Sequence, residues 1–275
     1  MKVKEIPISL FNHVKLSNTS KEKFLKEKKQ IPVIVSLASI PSRLHIVHLT
    51  IRSLLNQDVL PEQVVLWLHE DLENNIPKKL SSLTSSMFSI KFSKYTSSHR
   101  KLVETLNILP NNVVVTCDDD MMYRKDWLSK LHEIHQKHPA EIIGNQTRCI
   151  TYNNDEELLP YKEWRSGNKP CTNKDSTLPI GAGGTLYPIN SLDEQVHNQE
   201  LFMKLAPKAD DLWFKAMGLL KGTKSIQAEN SGKEPIPIWG SQKVSLKKTN
   251  ITEDKNRIQW QALDDHFNFK LNKID

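Results

Sequence analysis

No hydrophobic run in this sequence approaches the roughly 20 residues that a membrane-spanning helix needs. The start, MKVKEIPISLFNHVKL, lacks an apolar stretch followed by a small-residue cleavage site, so no signal peptide is read there. Cysteine is scarce. Cys117, Cys149 and Cys171 are scattered and odd in number, with neither metal-ligand spacing nor a disulfide framework. A reducing cytoplasm is the compartment this usage implies. The glycines form no G-x-x-x-x-G-K-[ST] pattern, which removes the anchor for an ATPase or kinase loop. There is no G-x-S-x-G, so a serine hydrolase has no visible nucleophile. Zinc-finger spacing, an aromatic RNA-binding signature and a dense basic helix are also missing, which argues against a nucleic-acid partner. No internal repeat or low-complexity tract occurs.

What is present suits a globular protein: 275 residues, 25% charged and 38% hydrophobic. The net charge of +6 is mild. Lysines crowd the stretch Lys21 to Lys29 and recur at Lys243, Lys247 and Lys248. A solvated face is the default reading of such clusters, with anionic lipid headgroups or an anionic substrate as alternatives.

Residues 1–30 are polar and read as a basic arm or peripheral helix. Ile31–Leu37 follows as a continuous β-branched strand. The stretch Leu44–Gln57 has helical spacing at Leu44, Val47, Ile51, Leu54 and Leu55. Gln63–His69 reads as a strand, Pro77 opens a helix toward Ser85, and Phe88–Ser93 is a third strand. HRKLVETLNIL is helical, NVVVTC is a fourth strand, and Arg124–His138 is an amphipathic helix. Strands alternating with helices predict an α/β fold with a mostly parallel sheet. Ligands of such sheets bind beyond the carboxyl ends of the strands. Residues 153–178 read as a long polar excursion of lid type. Leu178–Pro188 is glycine-rich and turns to strand. Ala206–Gly222 enters a helix with Gly222 as its cap, SIQAEN suits a strand, and a last helix begins near Asn256.

The fourth strand runs straight into Asp118, Asp119 and Asp120. Carboxylates this close raise one another's pKa, so a cation is expected to compensate them. Magnesium and manganese favour oxygen ligands, commonly one or two carboxylates with substrate phosphates. In an extended chain Asp118 and Asp120 point to one side, and Asp119 points toward a nucleoside sugar or a basic neighbour. The plainer reading is a solvated acidic turn, or a cap for the next helix. A second pair, Asp210 and Asp211, opens DDLWFKAMGLL. It either caps that helix or supplies a general base, whose pKa the helix terminus would lower. GAGG (Gly181–Gly184) is a tight turn, or a place where backbone approaches a sugar.

Five ordered segments carry a resemblance: VSLASIPSRLHIVHLTIRSLLNQDVLPEQVVLWL, HRKLVETL, VVVTCDDDMMYRKDWLSKL, GAGGTLYP and ADDLWFKAM. Together, over Ile31 to Trp260, they resemble a bacterial family of glycosyltransferases of the GT-A, family-2-like type found in capsule and lipopolysaccharide gene clusters. The resemblance implies a GT-A-like, Rossmann-type domain over residues 31–275. Its nucleotide-binding half is about 31–150 and its acceptor half about 151–275. It implies a nucleotide-diphosphate sugar donor, Mn2+ or Mg2+, and a glycan or lipid-linked glycan acceptor. Ser36 to Arg43 would lie near the base and ribose, with Asp119 also on the nucleotide side, and Lys101 would approach the diphosphate. Asp118 and Asp120 match the metal-binding DxD, with Asp120 the preferred ligand. Asp211 matches the base of inverting enzymes, with Asp210 the alternative. No C-terminal histidine matches a third metal ligand, since His266 falls in an apparent helix as a surface residue. With a lipid-linked acceptor, the basic start and the lack of a spanning segment point to a cytoplasmic enzyme with weak peripheral contact on the inner membrane face. A nucleotidyltransferase or sugar-phosphate transferase would also want aspartates at a strand end. Six tryptophans leave room for a non-catalytic carbohydrate-binding protein.

Overall fold

The computed structural model describes residues 5–25, 28–166, 171–230, 232–241, 253–269 and 271. The lysines at 243, 247 and 248 lie outside the described residues. Two helices, α1 (Ile6–Asn18) and α2 (Lys21–Leu25), precede the first strand, β1 (Gln30–Ala38). The alternation then runs α3 (Val47–Leu55), β2 (Leu60–His69), α4 (Lys78–Ser81), β3 (Phe88–Ser93), α5 (Arg100–Ile108), β4 (Val113–Thr116), β5 (Met121–Met122) and α6 (Trp127–Lys137). Short strands follow: β6 (Ile142–Gly144), β7 (Thr147–Cys149), β8 (Thr177–Pro179) and β9 (Thr185–Tyr187). The chain continues through α7 (Gln199–Leu205), α8 (Asp210–Lys221), β10 (Ser225–Gln227), β11 (Ile236–Pro237) and α9 (Lys255–Phe267).

Seven strands form the central sheet in the order β10-β6-β9-β4-β1-β2-β3. All neighbours are parallel except β9, which runs antiparallel between β4 and β6. The expected α/β architecture, a mostly parallel sheet flanked by helices, is therefore present. Its central strands are continuous apolar runs because both faces are covered. In β1, Val33, Val35 and Leu37 join the core under α3 and α6, while Ile34 faces the opposite side. In β4, Val115 joins that first core and Val114 joins a second, built around Trp213, Phe214 and Trp260. From β1 the chain moves outward through β2 and β3, then returns to place β4 on the other side of β1. This reversal opens a crevice at the carboxyl ends of β1 and β4, the ligand position of doubly wound sheets.

Three expectations are corrected. Helix α3 starts at Val47, because Pro41 first opens a short 3-10 turn that ends at Arg43. Cys149 and Cys171 form a disulfide with Cα atoms 5.1 Å apart, and Cys117 is free and buried. The 22-residue separation hid this pair. The chain leaves at β7 and returns in β8, which pairs with it antiparallel, Cys149 opposite Thr177. The cysteines therefore give no support for a reducing compartment. The excursion that ends in β8 is not a polar flap, since Tyr161 and Trp164 anchor its described part in the second core. Among the described residues no helix is long and apolar enough to cross a membrane.

Candidate active site

After β4 the chain does not stay extended. Asp119 and Asp120 form a turn before β5. The expectation of an extended chain through Asp118 and Asp120 is corrected by this turn, although the charge of Asp118 still bears on Asp120. Asp119 is buried, accepting from Ser39 Oγ at 2.5 Å and from Arg43 Nη1 at 2.5 Å. Arg43 Nη2 lies 3.2 Å from Asp120 Oδ2, so one guanidinium spans both carboxylates. The Asp120 carbonyl accepts from the Ile238 N–H at 2.9 Å, which ties the turn to the segment after β11. Asp118 has partners of its own. Its carboxylate meets Lys101 Nζ at 3.1 Å, and its N–H donates to the Tyr123 hydroxyl at 2.9 Å.

Lys101 is buried, and its ammonium also lies 2.9 Å from Asp210 Oδ2. It thus joins two acidic pairs that are about ninety residues apart in the sequence. Ala209 is the N-cap of α8, without a side-chain cap bond, and Asp210 and Asp211 fall in the first turn. The capping role weighed for them is not built. The Asp211 carboxylate instead accepts from the Gly181 N–H, 3.1 Å from each oxygen. Gly181 sits where the groups converge: a Cβ there would stand 2.9 Å from Asp211 Oδ1, 3.1 Å from Lys101 Nζ and 3.6 Å from Asp118 Oδ1. The GAGG turn is pinned by Trp127 Nε1, which donates to the Gly183 carbonyl at 2.7 Å, and by Tyr123 Oη, 3.2 Å from the Ala182 carbonyl.

These contacts set the charges. Burial, then the charge of Asp118, pushes Asp120 up to about 7. Burial, then Asp210, pushes Asp211 up to about 7. The expected lowering by the helix terminus is outweighed there. Burial also acts on Asp210, but the Lys101 ammonium overcomes it and holds its carboxyl below the usual range. Burial opposes the charge on Lys101, but Asp118 and Asp210 prevail and raise it well above its ordinary value. Asp119 is raised by its burial, against Arg43. His99 is driven down to about 4 by burial and is a neutral ring stacked 4.3 Å from Phe202.

The groups line a cleft of about 680 Å³. Its floor is Asp118–Asp120, Lys101, Asp210 and Asp211, with Arg43 at one side and Ile40, Tyr161, Ile180 and Met203 as apolar walls. Of the residues expected from sequence, Arg43, Lys101, Asp118, Asp119, Asp120, Asp210 and Asp211 come together here. Ser36 does not. Its hydroxyl is fully buried, bonded to the Lys101 carbonyl and the Thr105 hydroxyl, so it ties α5 to β1 and cannot touch a nucleotide. His266 is exposed on α9, as expected. Sequence reading overlooked Ser39, which holds Asp119, and Arg100, whose buried guanidinium bonds the Ser39 and Tyr95 carbonyls. The only signals for them were a serine just past a strand end and an arginine beside Lys101.

Among the described residues no three His, Cys, Asp or Glu side chains form a ready-made metal cluster. The donor set nonetheless fits a divalent cation that completes its shell with phosphate and water. Five carboxylates share the cleft with four cations, Arg43, Arg100, Lys101 and Lys208; carboxylates or carbonyls engage Arg43, Arg100 and Lys101. Asp118 is the most accessible of the charged groups in these ion pairs, its side chain 37% exposed.

No family model matches the chain, and no curated protein matches it. Solved structures resemble it in fold. One is 4-diphosphocytidyl-2C-methyl-D-erythritol synthase from Anaerococcus prevotii, at 13% identity and a TM-score of 0.40, over 75% of this chain and 92% of that one. Another is TarS 1–349 from S. aureus, at 15% identity and a TM-score of 0.46, over 76% of this chain and 59% of that one. At such values the likeness is one of chain path alone.

Proposed function

We propose that this protein is a metal-assisted glycosyltransferase. It would move a sugar from a nucleotide-diphosphate donor to a hydroxyl of a glycan or lipid-linked glycan, with inversion, in surface polysaccharide synthesis. The observation that carries the reading is the convergence of Asp118 and Asp120 with Asp210 and Asp211 across Lys101 and Gly181 in one cleft. One acidic pair suits a cation beside a diphosphate. The other offers a carboxylate near neutrality, the range a general base needs.

Asp118 and Asp120 would hold Mn2+ or Mg2+, which would supply the positive charge that lets a diphosphate enter and leave an acidic cleft. Arg43 fixes Asp119 and Asp120, and so sets the direction of the Asp120 carboxylate. Lys101 holds Asp118 apart from Asp210 and neutralises both, a positioning role in place of direct contact with the diphosphate. Asp210 stays ionised beside Lys101 and raises the basicity of Asp211. Asp211 takes the proton of the acceptor hydroxyl at its carboxylate oxygen while the hydroxyl oxygen attacks the anomeric carbon of the sugar; the bond from that carbon to the diphosphate breaks, and the nucleoside diphosphate leaves. The Gly181 N–H orients this carboxylate.

The test is a panel of nucleotide sugars with Mn2+, read by release of nucleoside diphosphate. Slow hydrolysis by the wild-type chain, abolished in Asp120→Asn, is the expected result. Release of pyrophosphate would replace the reading with nucleotidyl transfer. Glycan binding without any donor turnover would replace it with a carbohydrate-binding protein.

A further inference from the structure

Helix α1 is apolar on two sides. Its inner side, with Ser9 and Leu16 buried, packs on α3 and against the β11 segment. Ser9 Oγ donates to the Pro237 carbonyl at 2.8 Å and accepts from the Trp239 N–H at 3.0 Å. The outer side carries Leu10, Phe11 and Val14, which are 40%, 66% and 59% exposed. They fall within an arc of about 100° on the helix. Trp239, 56% exposed, lies on the adjoining segment. Such residues clustered on one helix are not the scattered singles of an ordinary surface.

The sequence around this helix is charged one way. Residues 1–30 hold eight lysines and three glutamates, a net +5 of the chain's +6. Lys15 lies one helical turn from Phe11, and Lys23 is exposed on α2. Among the described residues neither forms an ion pair. An apolar arc with lysines around it and a neighbouring tryptophan is the pattern of a helix that lies in a lipid interface. We infer that the outer face of α1, with Trp239, docks on an anionic lipid bilayer, its apolar side chains among the acyl chains and its lysines at the headgroups. This inference stands apart from glycosyl transfer and needs no donor or metal.

The test is flotation of the full chain with two kinds of vesicle, phosphatidylcholine alone and equal parts phosphatidylcholine and phosphatidylglycerol. Binding is expected only to the second, weakening as salt rises. Leu10→Gln, Phe11→Gln and Val14→Gln combined should lower partitioning at least about tenfold, since three buried apolar side chains are lost. The melting temperature should hold, because these side chains face away from the core. Lys15→Gln with Lys23→Gln should also weaken binding, by about thirtyfold at most. Absence of wild-type binding at low salt overturns the inference. So does full binding by the triple variant, which would leave only diffuse charge attraction. A lipid-free dimer dissolved by the same triple change, seen by analytical ultracentrifugation, would assign the face to a second copy of this chain.

Discussion

Lys101 lies 3.1 Å from Asp118 and 2.9 Å from Asp210, nearly sealed from water. Removing one partner of a buried ionic cluster leaves the others uncompensated, at a cost of about 3–5 kcal/mol. Lys101→Met should therefore lower stability by that order in a denaturant titration. Adding Asp210→Asn should recover part of the loss, so that the double change costs less than the sum of the singles. Additive losses would show that the two groups do not interact. Asp211 offers the complementary test. Asn keeps its shape and one acceptor for the Gly181 N–H but cannot take a proton. Asp211→Asn should reduce transfer by about 10²–10⁴-fold with donor affinity retained. Its effect on stability has a definite sign. The folded pKa near 7 lies above an unfolded value of about 3.9, so the native state holds this proton more tightly. Stability is then lost as pH rises from about 4 to about 7. The Asn variant should melt a few degrees higher than wild type at pH 8 and gain little at pH 4. Near-normal transfer would remove Asp211 as the base and direct attention to Asp210.

At the scale of elements, the GAGG turn holds two glycines with different duties. Gly184 has φ of +98°, and a Cβ there would lie 2.5 Å from the Trp127 ring. Gly184→Ala should therefore destabilise the fold. At Gly181 a Cβ would meet only the tips of side chains, those of Asp211, Lys101 and Asp118. Gly181→Ala should leave the melting temperature nearly unchanged while displacing the base, and a misplacement of about 1 Å can cost about 100-fold in rate. Loss of folding in both variants would contradict this division. The same contrast shows what was legible in the sequence. Strands β1 and β3 and helix α8 are readable because each is a long run of one periodicity, and Gly222 ends α8 in the left-handed conformation expected of it. Strands β6, β7 and β8, three residues each, have no period to read and exist through their partners. The aspartates were legible as chemistry but not as geometry. Nothing local says that the chain turns at Asp119 and Asp120, or that Lys101 bridges two pairs. Ser36 and the Cys149–Cys171 bond were misread for the same reason, since α5 and β8 decide their surroundings.

For the molecule as a whole, protons would compete with a metal for the proposed site. Asp120 titrates near 7 because it is buried beside Asp118, and a bound cation would need it ionised. Metal affinity should then rise with pH through this range. Mn2+ should raise the melting temperature more at pH 8 than at pH 6, following the mass-action rule for a ligand of the native state. Asp120→Asn should abolish the difference between the two pH values. An equal shift at both values would separate Asp120 from the cation.

The cleft draws its walls from both sides of the sheet. Arg43 and Ser39 belong to the layer that packs under α3, while Asp210 and Asp211 open α8 in the second core. Each layer has its own apolar packing, so each has its own tendency to open locally. A ligand clamped between them couples those openings, because neither layer can loosen without releasing it. Amide hydrogens in α3 and α8 should then slow their exchange with solvent together when the cleft is filled, although the helices lie on opposite faces of the sheet. The empty protein would breathe as two halves and the liganded protein as one.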